Sequence, residues 1–101
     1  MTKPTPTQNL MTMLNLTPTD PVGGDEAFSA VTLTRESPRT YGGQVPAQAI
    51  MAANNTVTDQ VLHSIHAYFL RPGDISKEII FTSHSLTAGR YFATRRVQAL
   101  Q

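Results

Sequence analysis

The sequence predicts an α+β fold, an antiparallel β-sheet wrapped around one long central helix, with a short N-terminal helix ahead of it. Three observations predict it. The stretch Tyr41-Gly42-Gly43-Gln44-Val45-Pro46-Ala47-Gln48-Ala49-Ile50-Met51-Ala52-Ala53 opens on a glycine pair and continues mostly in alanine and small apolar residues. Apolar positions therefore occupy nearly the whole helical circumference, where a surface helix would show one stripe. The runs 61–70, 78–86 and 91–100 are rich in β-branched and aromatic residues, and Thr87-Ala88-Gly89-Arg90 joins the last two as an antiparallel hairpin. At 101 residues the chain holds one domain at most, and a domain of that size buries only about 60–65% of its unfolded surface.

In chain order, residues 1–4 are expected to fray. Thr5-Pro6-Thr7-Gln8 has capping-box form, with Thr5 as N-cap, Pro6 at the first helical position and Gln8 reaching back to the Thr5 amide. Leu10, Met11, Met13 and Leu14 give that helix an apolar face, ending near Leu16. Thr17 to Asp25 is dense in turn formers and is expected to be a loop. A strand follows over 28–34 and is broken by Ser37-Pro38-Arg39-Thr40. Pro46 is tolerated only in a first turn, so the central helix must start between Gly43 and Val45; it runs to Asn54 or Asn55, with asparagine as a left-handed cap. Val61 to Leu70 is the strongest strand by composition, and Arg71-Pro72-Gly73-Asp74 fits a type II turn. The strand from Glu78 to Leu86 puts Ile79 and Phe81 on one face and Ile80 on the other. The final strand stops on Gln98-Ala99-Leu100-Gln101, so its edge is expected to be covered by another chain or by further sequence. Residues 1–24 thus form a helix and loop, and 25–101 a sheet-and-helix core lacking its last strands.

Composition narrows the function classes. Charged residues make up 15% of the chain and the net charge is +1, which leaves no electrostatic footprint for nucleic acid or an anionic membrane. There is no cysteine, hence no disulfide, no thiolate catalysis and no cysteine metal site. No apolar run reaches membrane-spanning length and the start lacks a long apolar signal segment, so a cytoplasmic location is expected.

Three motifs carry a family resemblance: Tyr-Gly-Gly-Gln-Val-Pro-Ala-Gln-Ala over 41–49, His-Ser-Ile-His-Ala-Tyr-Phe-Leu-Arg-Pro-Gly-Asp over 63–74, and Ala-Gly-Arg-Tyr-Phe-Ala-Thr-Arg-Arg-Val-Gln-Ala-Leu-Gln over 88–101. In this order and spacing they resemble the N-terminal repeat of the acyl-CoA thioesterase II family, whose members are built from two hotdog domains. The resemblance implies a hotdog fold and hydrolysis of an acyl-CoA thioester to free fatty acid and CoA by activated water, without cofactor, metal or covalent intermediate. It also implies that the family's Asp, Ser/Thr and Gln catalytic set lies in the second repeat, so no residue here is assigned as catalytic and the isolated chain is expected to be inactive. Two positions depart from the family: Pro46 stands where an ordinary helix former is usual, and Ala88 where Asp more often precedes the glycine.

Gly42, Gly43, Gln44, His66 and Arg71 are the substrate-binding candidates. The glycines leave room beside backbone N–H groups at the start of the central helix, which suits an anion or a polarised carbonyl oxygen, although Gly-Gly before a helix more commonly serves only as a tight strand-to-helix turn. Gln44 is placed either to orient a water or substrate carbonyl or to cap its own helix. His63 and His66, three apart on a strand, point to opposite faces and cannot share a metal; structural roles are expected for both, and His84 is expected at the surface. Arg71, Arg90, Arg95 and Arg96 are candidates for the CoA phosphates, with at most one of the adjacent pair Arg95 and Arg96 facing a given ligand. Tyr68, Phe69, Tyr91 and Phe92 are expected in core or interface. The partners expected are acyl-CoA and either a second hotdog domain or further copies of the chain. The alternative is a non-catalytic hotdog half that supplies oligomer interface and part of an acyl-CoA tunnel. A dehydratase-like hotdog enzyme would need a histidine and a carboxylate together, and no such carboxylate stands in the central helix.

Overall fold

The computed structural model describes residues 5–32 and 43–101. The expectations for residues 1–4, for the end of the strand over 28–34 at 33–34, for the break at 37–40 and for Tyr41 and Gly42 lie outside the described residues. The elements are α1 (Pro6–Leu14), β1 (Thr17–Val22), β2 (Asp25–Ala30), α2 (Gln44–Asn54), β3 (Ile79–Ala88) and β4 (Ala93–Leu100), and the strands form one antiparallel sheet in the order β1-β2-β3-β4. The class is α+β, as the sequence predicts.

α1 begins as its local chemistry requires. The Thr5 hydroxyl accepts from the Gln8 amide at 3.1 Å while the Gln8 side chain accepts from the Thr5 amide at 2.8 Å, with Pro6 in the first turn. Met13 is the buried residue of this helix; Leu10 and Met11 on the same helix are exposed.

The segment expected as a loop over Thr17 to Asp25 is instead a hairpin. Val22 pairs with Asp25 across Gly23 and Gly24, whose φ angles of 59° and 87° are those of a two-residue type I′ turn. Pro18 and Pro21 are compatible with a strand here because β1 is at the edge of the sheet, where a missing N–H breaks no central ladder. At the other hairpin the Gly89 amide donates to the Phe92 carbonyl at 2.8 Å, and a Cβ on Gly89 would sit 2.9 Å from that same oxygen, so the tight approach requires glycine. Register slips between Ser85 and Thr87, leaving Leu86 in a bulge.

Three other expectations are corrected. Residues 61–70 form no strand and are exposed throughout, because strand residues without a ladder partner have nothing to hold them extended in a sheet. Positive φ among the described glycines is confined to Gly23 and Gly24, so the turn at 71–74 is not type II. α2 ends on Asn55 in right-handed helical geometry, φ −69° and ψ −11°, with no left-handed cap.

α2 lies on one face of the sheet. Phe28, Phe81 and Ala99 are in register across β2, β3 and β4 on that face, and the core gathers Leu16, Phe28, Ala30, Ala52, Ile79 and Phe81. Strand alternation puts Ile79 and Phe81 inward, as expected, with Ile80 turned to the other face and half-buried. Along α2, Gln44, Gln48 and Ala52 form the buried line, and Val45, Ala49, Ile50, Met51 and Ala53 around them are only half-buried. Phe81 is fully buried at the centre of this packing, so Phe81→Ala is expected to cost about 3–5 kcal/mol, read from the urea midpoint, and a cost under about 1 kcal/mol would contradict the core described here.

Candidate functional site

The start of α2 is built from three constraints. Gly43 is the N-cap, in helical geometry and without a side-chain cap. Pro46, in the first turn, has no N–H to satisfy, and the Gln44 and Val45 amides have no acceptor inside the helix. The first bond of the ladder runs from the Ala47 amide to the Gly43 carbonyl at 3.3 Å. Gly43 is exposed, while the Gln44 side chain turns inward and is 2% exposed. The Gln44 side chain is engaged within α2. Its Nε2 donates to Gln48 Oε1 at 3.2 Å, and Gln48 Nε2 donates to the Met13 carbonyl at 3.0 Å and the Val31 carbonyl at 2.7 Å.

His66 and Arg71 lie on the exposed stretch that follows α2, so the described candidates divide between an inward-turned helix start and an outward-facing segment. The His66 ring sits 4.8 Å from that of Tyr68, tilted by 37°. Val61, Tyr68 and Leu70 are 92%, 80% and 89% exposed, and Tyr91 and Phe92 are exposed as well. The expectation that Tyr68, Phe69, Tyr91 and Phe92 are buried in a core does not hold within this chain.

Of the arginines, Arg95 is committed to the protein itself. Its Nε donates to Thr56 Oγ1 at 2.8 Å and its Nη1 to the Thr87 carbonyl at 2.9 Å, which ties the exit of α2 to the β3–β4 hairpin. Arg96 is on the opposite face of β4 and exposed, and the Arg90 guanidinium lies 5.5 Å from the centre of the Tyr91 ring.

Sequence reasoning missed one polar pair. His84 Nδ1 lies 2.6 Å from Asp25 Oδ1, one step beyond the Glu26–Ser83 pair of the β2–β3 register. These side chains, with Glu26, Ser83 and Arg95, line a half-open cleft of about 240 Å³. Residues 59 apart in sequence meet only because β2 and β3 pair, so no local signal announces them. Among the described residues no group of three or more His, Cys, Asp or Glu side chains could hold a metal ion, and no helix is long and apolar enough to cross a membrane.

After the exposed stretch, Asp74 closes a small turn: its carboxylate accepts from the Ser76 amide at 2.9 Å and the Ser76 hydroxyl at 2.7 Å. The Gln101 side chain clips this turn to the end of β4, accepting from the Asp74 amide and donating to the Asp74 carbonyl, each at 2.9 Å.

Comparison with known proteins gives a consistent result. A family model described as acyl-CoA thioesterase N-terminal domain matches residues 31–101. Acyl-CoA thioesterase 2 of Haemophilus influenzae is 47% identical over 64 residues, covering 62% of this chain and 22% of that protein. Human acyl-coenzyme A thioesterase 8 is 34% identical over 91 residues, covering 89% of this chain and 27% of that protein. Among solved structures, the tesB protein of Mycobacterium avium subspecies paratuberculosis superposes with a TM-score of 0.78 at 39% identity, over 92% of this chain and 36% of that one. The chain thus spans well under half the length of each of these relatives.

The Ser76 bonds, with a smaller contribution from the Lys77 charge, hold the Asp74 carboxyl below its usual value of 3.8. A carboxyl depressed in the folded state stabilises it above the unfolded value, and that contribution is lost as pH falls through the folded one. Ser76→Ala is expected to raise the Asp74 titration midpoint in an NMR titration of the side-chain carbon; an unmoved midpoint would show that the Ser76 hydroxyl does not set it.

Proposed function

The chain belongs to the acyl-CoA thioesterase N-terminal domain family, and from that premise we propose that it supplies the N-terminal hotdog portion of an enzyme that hydrolyses acyl-CoA. Water adds to the thioester carbonyl, the new C–O bond forms as the C–S bond breaks, and the CoA sulfur leaves with a proton, giving free fatty acid and CoA. The observation that carries this is the family match across 31–101, and the 39% identity to a solved tesB protein over 92% of the chain supports it.

In this proposal residues 25–101 are a hotdog core, with a sheet that wraps around α2 once further strands, from a second hotdog domain or another copy of the chain, complete it. The half-buried flanks of α2 and the exposed apolar stretch 61–70 are the surfaces such strands would cover, with 61–70 itself becoming a strand. Residues 1–24 supply α1 and the edge strand. The protein acts in fatty acid metabolism in the cytoplasm, as an oligomer or a two-hotdog chain.

Gly42, Gly43 and Gln44 are proposed as the thioester-facing tip, where backbone N–H groups at a helix start favour charge developing on a carbonyl oxygen. His66 and Arg71 are proposed on the substrate side of the stretch 61–70, Arg71 toward the CoA phosphates. No catalytic group is assigned within the chain; the water-activating set belongs to the second repeat. A second function is favoured by the exposed apolar surface alone: a non-catalytic half that provides interface and part of an acyl-CoA tunnel.

The purified chain is expected to show little acyl-CoA hydrolysis. In a protein carrying both hotdog repeats, Gln44→Ala and His66→Ala are each expected to lower kcat/KM by about tenfold or more. Undiminished turnover in both variants would remove these residues from the site. Binding of a non-hydrolysable acyl-CoA thioether by the two-repeat protein without any turnover would favour the non-catalytic alternative.

A further inference from the structure

Gln48 is fully buried in the middle of a mostly apolar helix, and an unbonded primary amide there would cost about 1–3 kcal/mol per orphaned group. It is not orphaned. Both hydrogens of Nε2 are used, one on the Met13 carbonyl at 3.0 Å and one on the Val31 carbonyl at 2.7 Å, and Oε1 accepts from Gln44 Nε2 at 3.2 Å.

Each partner comes from a different segment, and two of the three are groups that secondary structure leaves over. Met13 is in the last turn of α1, where carbonyls have no intrahelical donor. Val31 follows the last β2 residue in register with β3, Ala30, so its carbonyl is beyond that ladder. Gln44 is the first residue of α2, four positions from Gln48 and on the same helix face. One amide therefore fixes the end of α1, the exit of β2 and the start of α2 with respect to one another.

We propose that Gln48 is a positioning residue for the N-terminal tip of α2: by holding Gln44 and the departing β2 strand it sets the shape of the tip at Gly43 and Gln44. That the tip faces acyl-CoA rests on the function proposed above; that Gln48 sets its shape does not. The residue acts through Gln44 and the backbone and touches no substrate.

Two variants of the 101-residue chain separate the possibilities. Gln48→Met keeps volume and loses all three bonds; Gln48→Glu keeps length and the acceptor for Gln44 but loses both donors. In ¹⁵N spectra taken where circular dichroism shows the variants folded, Gln48→Met is expected to move the Gln44 side-chain amide signals and to shift the Gly43 amide. Gln48→Glu should shift Gly43 while retaining a distinct Gln44 signal. Unchanged Gln44 and Gly43 signals in a folded Gln48→Met chain would overturn the proposal. In the two-repeat protein, Gln48→Met should raise the dissociation constant of an acyl-CoA thioether about tenfold, as expected if the binding-competent tip falls to about a tenth of the population. If the unsubstituted two-repeat protein binds no thioether, the acyl-CoA assignment of the tip fails, and the Gln44 and Gly43 signals still decide the role of Gln48.

Discussion

The rest of the structure depends on the requirement that buried amides be bonded. α2 carries two glutamines on the line that meets the sheet and α1, and neither can be buried without partners. Satisfying Gln48 recruits carbonyls from α1 and from just beyond β2, and its own Oε1 accepts from Gln44 one helical turn earlier. Apolar burial through Ala52, Phe81 and Ile79 supplies the general attraction of helix for sheet, and it is non-directional. The glutamine bonds are directional, and they select one placement of the helix among the many that small alanine side chains would permit.

That placement leaves work undone. Most of the helix outside the buried line is half-covered, and the stretch after it presents apolar residues to solvent. A sheet covering one face of α2 accounts for both features. The same geometry separates the candidate ligand groups into a rigid, inward-bonded helix start and an exposed segment bearing His66 and Arg71. In the function proposed above, a binding surface made from these two parts gains its final form only when the exposed segment is paired, so that proposal places activity in the two-repeat protein.

Legibility in the sequence followed the range of the interactions. The start of α1 was readable to the residue because Thr5, Pro6 and Gln8 settle it among themselves, whereas its end, expected near Leu16, falls at Leu14. Pro46 bounded the start of α2 correctly, for the same local reason. The β1–β2 hairpin was missed although its Gly23-Gly24 signal was present, since Pro18 and Pro21 disguise an edge strand as a loop. Residues 61–70 carry real strand propensity, but propensity without a pairing strand does not make a sheet. His84 with Asp25 was invisible, being a product of register between distant strands. Gln48 could have been noticed: Gln44 and Gln48 stand four apart in an alanine-rich helix, which puts two amides on one face.

The central claim is that α2 is held on the sheet as firmly as the sheet holds itself, while 61–70 is not part of that unit. Residue-level native-state hydrogen exchange on the 101-residue chain tests it most directly. The amides of Ile50, Met51 and Ala52 are expected to exchange only through global unfolding, together with those of Phe28 and Phe81, and those of 61–70 at near-unprotected rates. Exchange of the α2 amides as fast as those of 61–70 would contradict it.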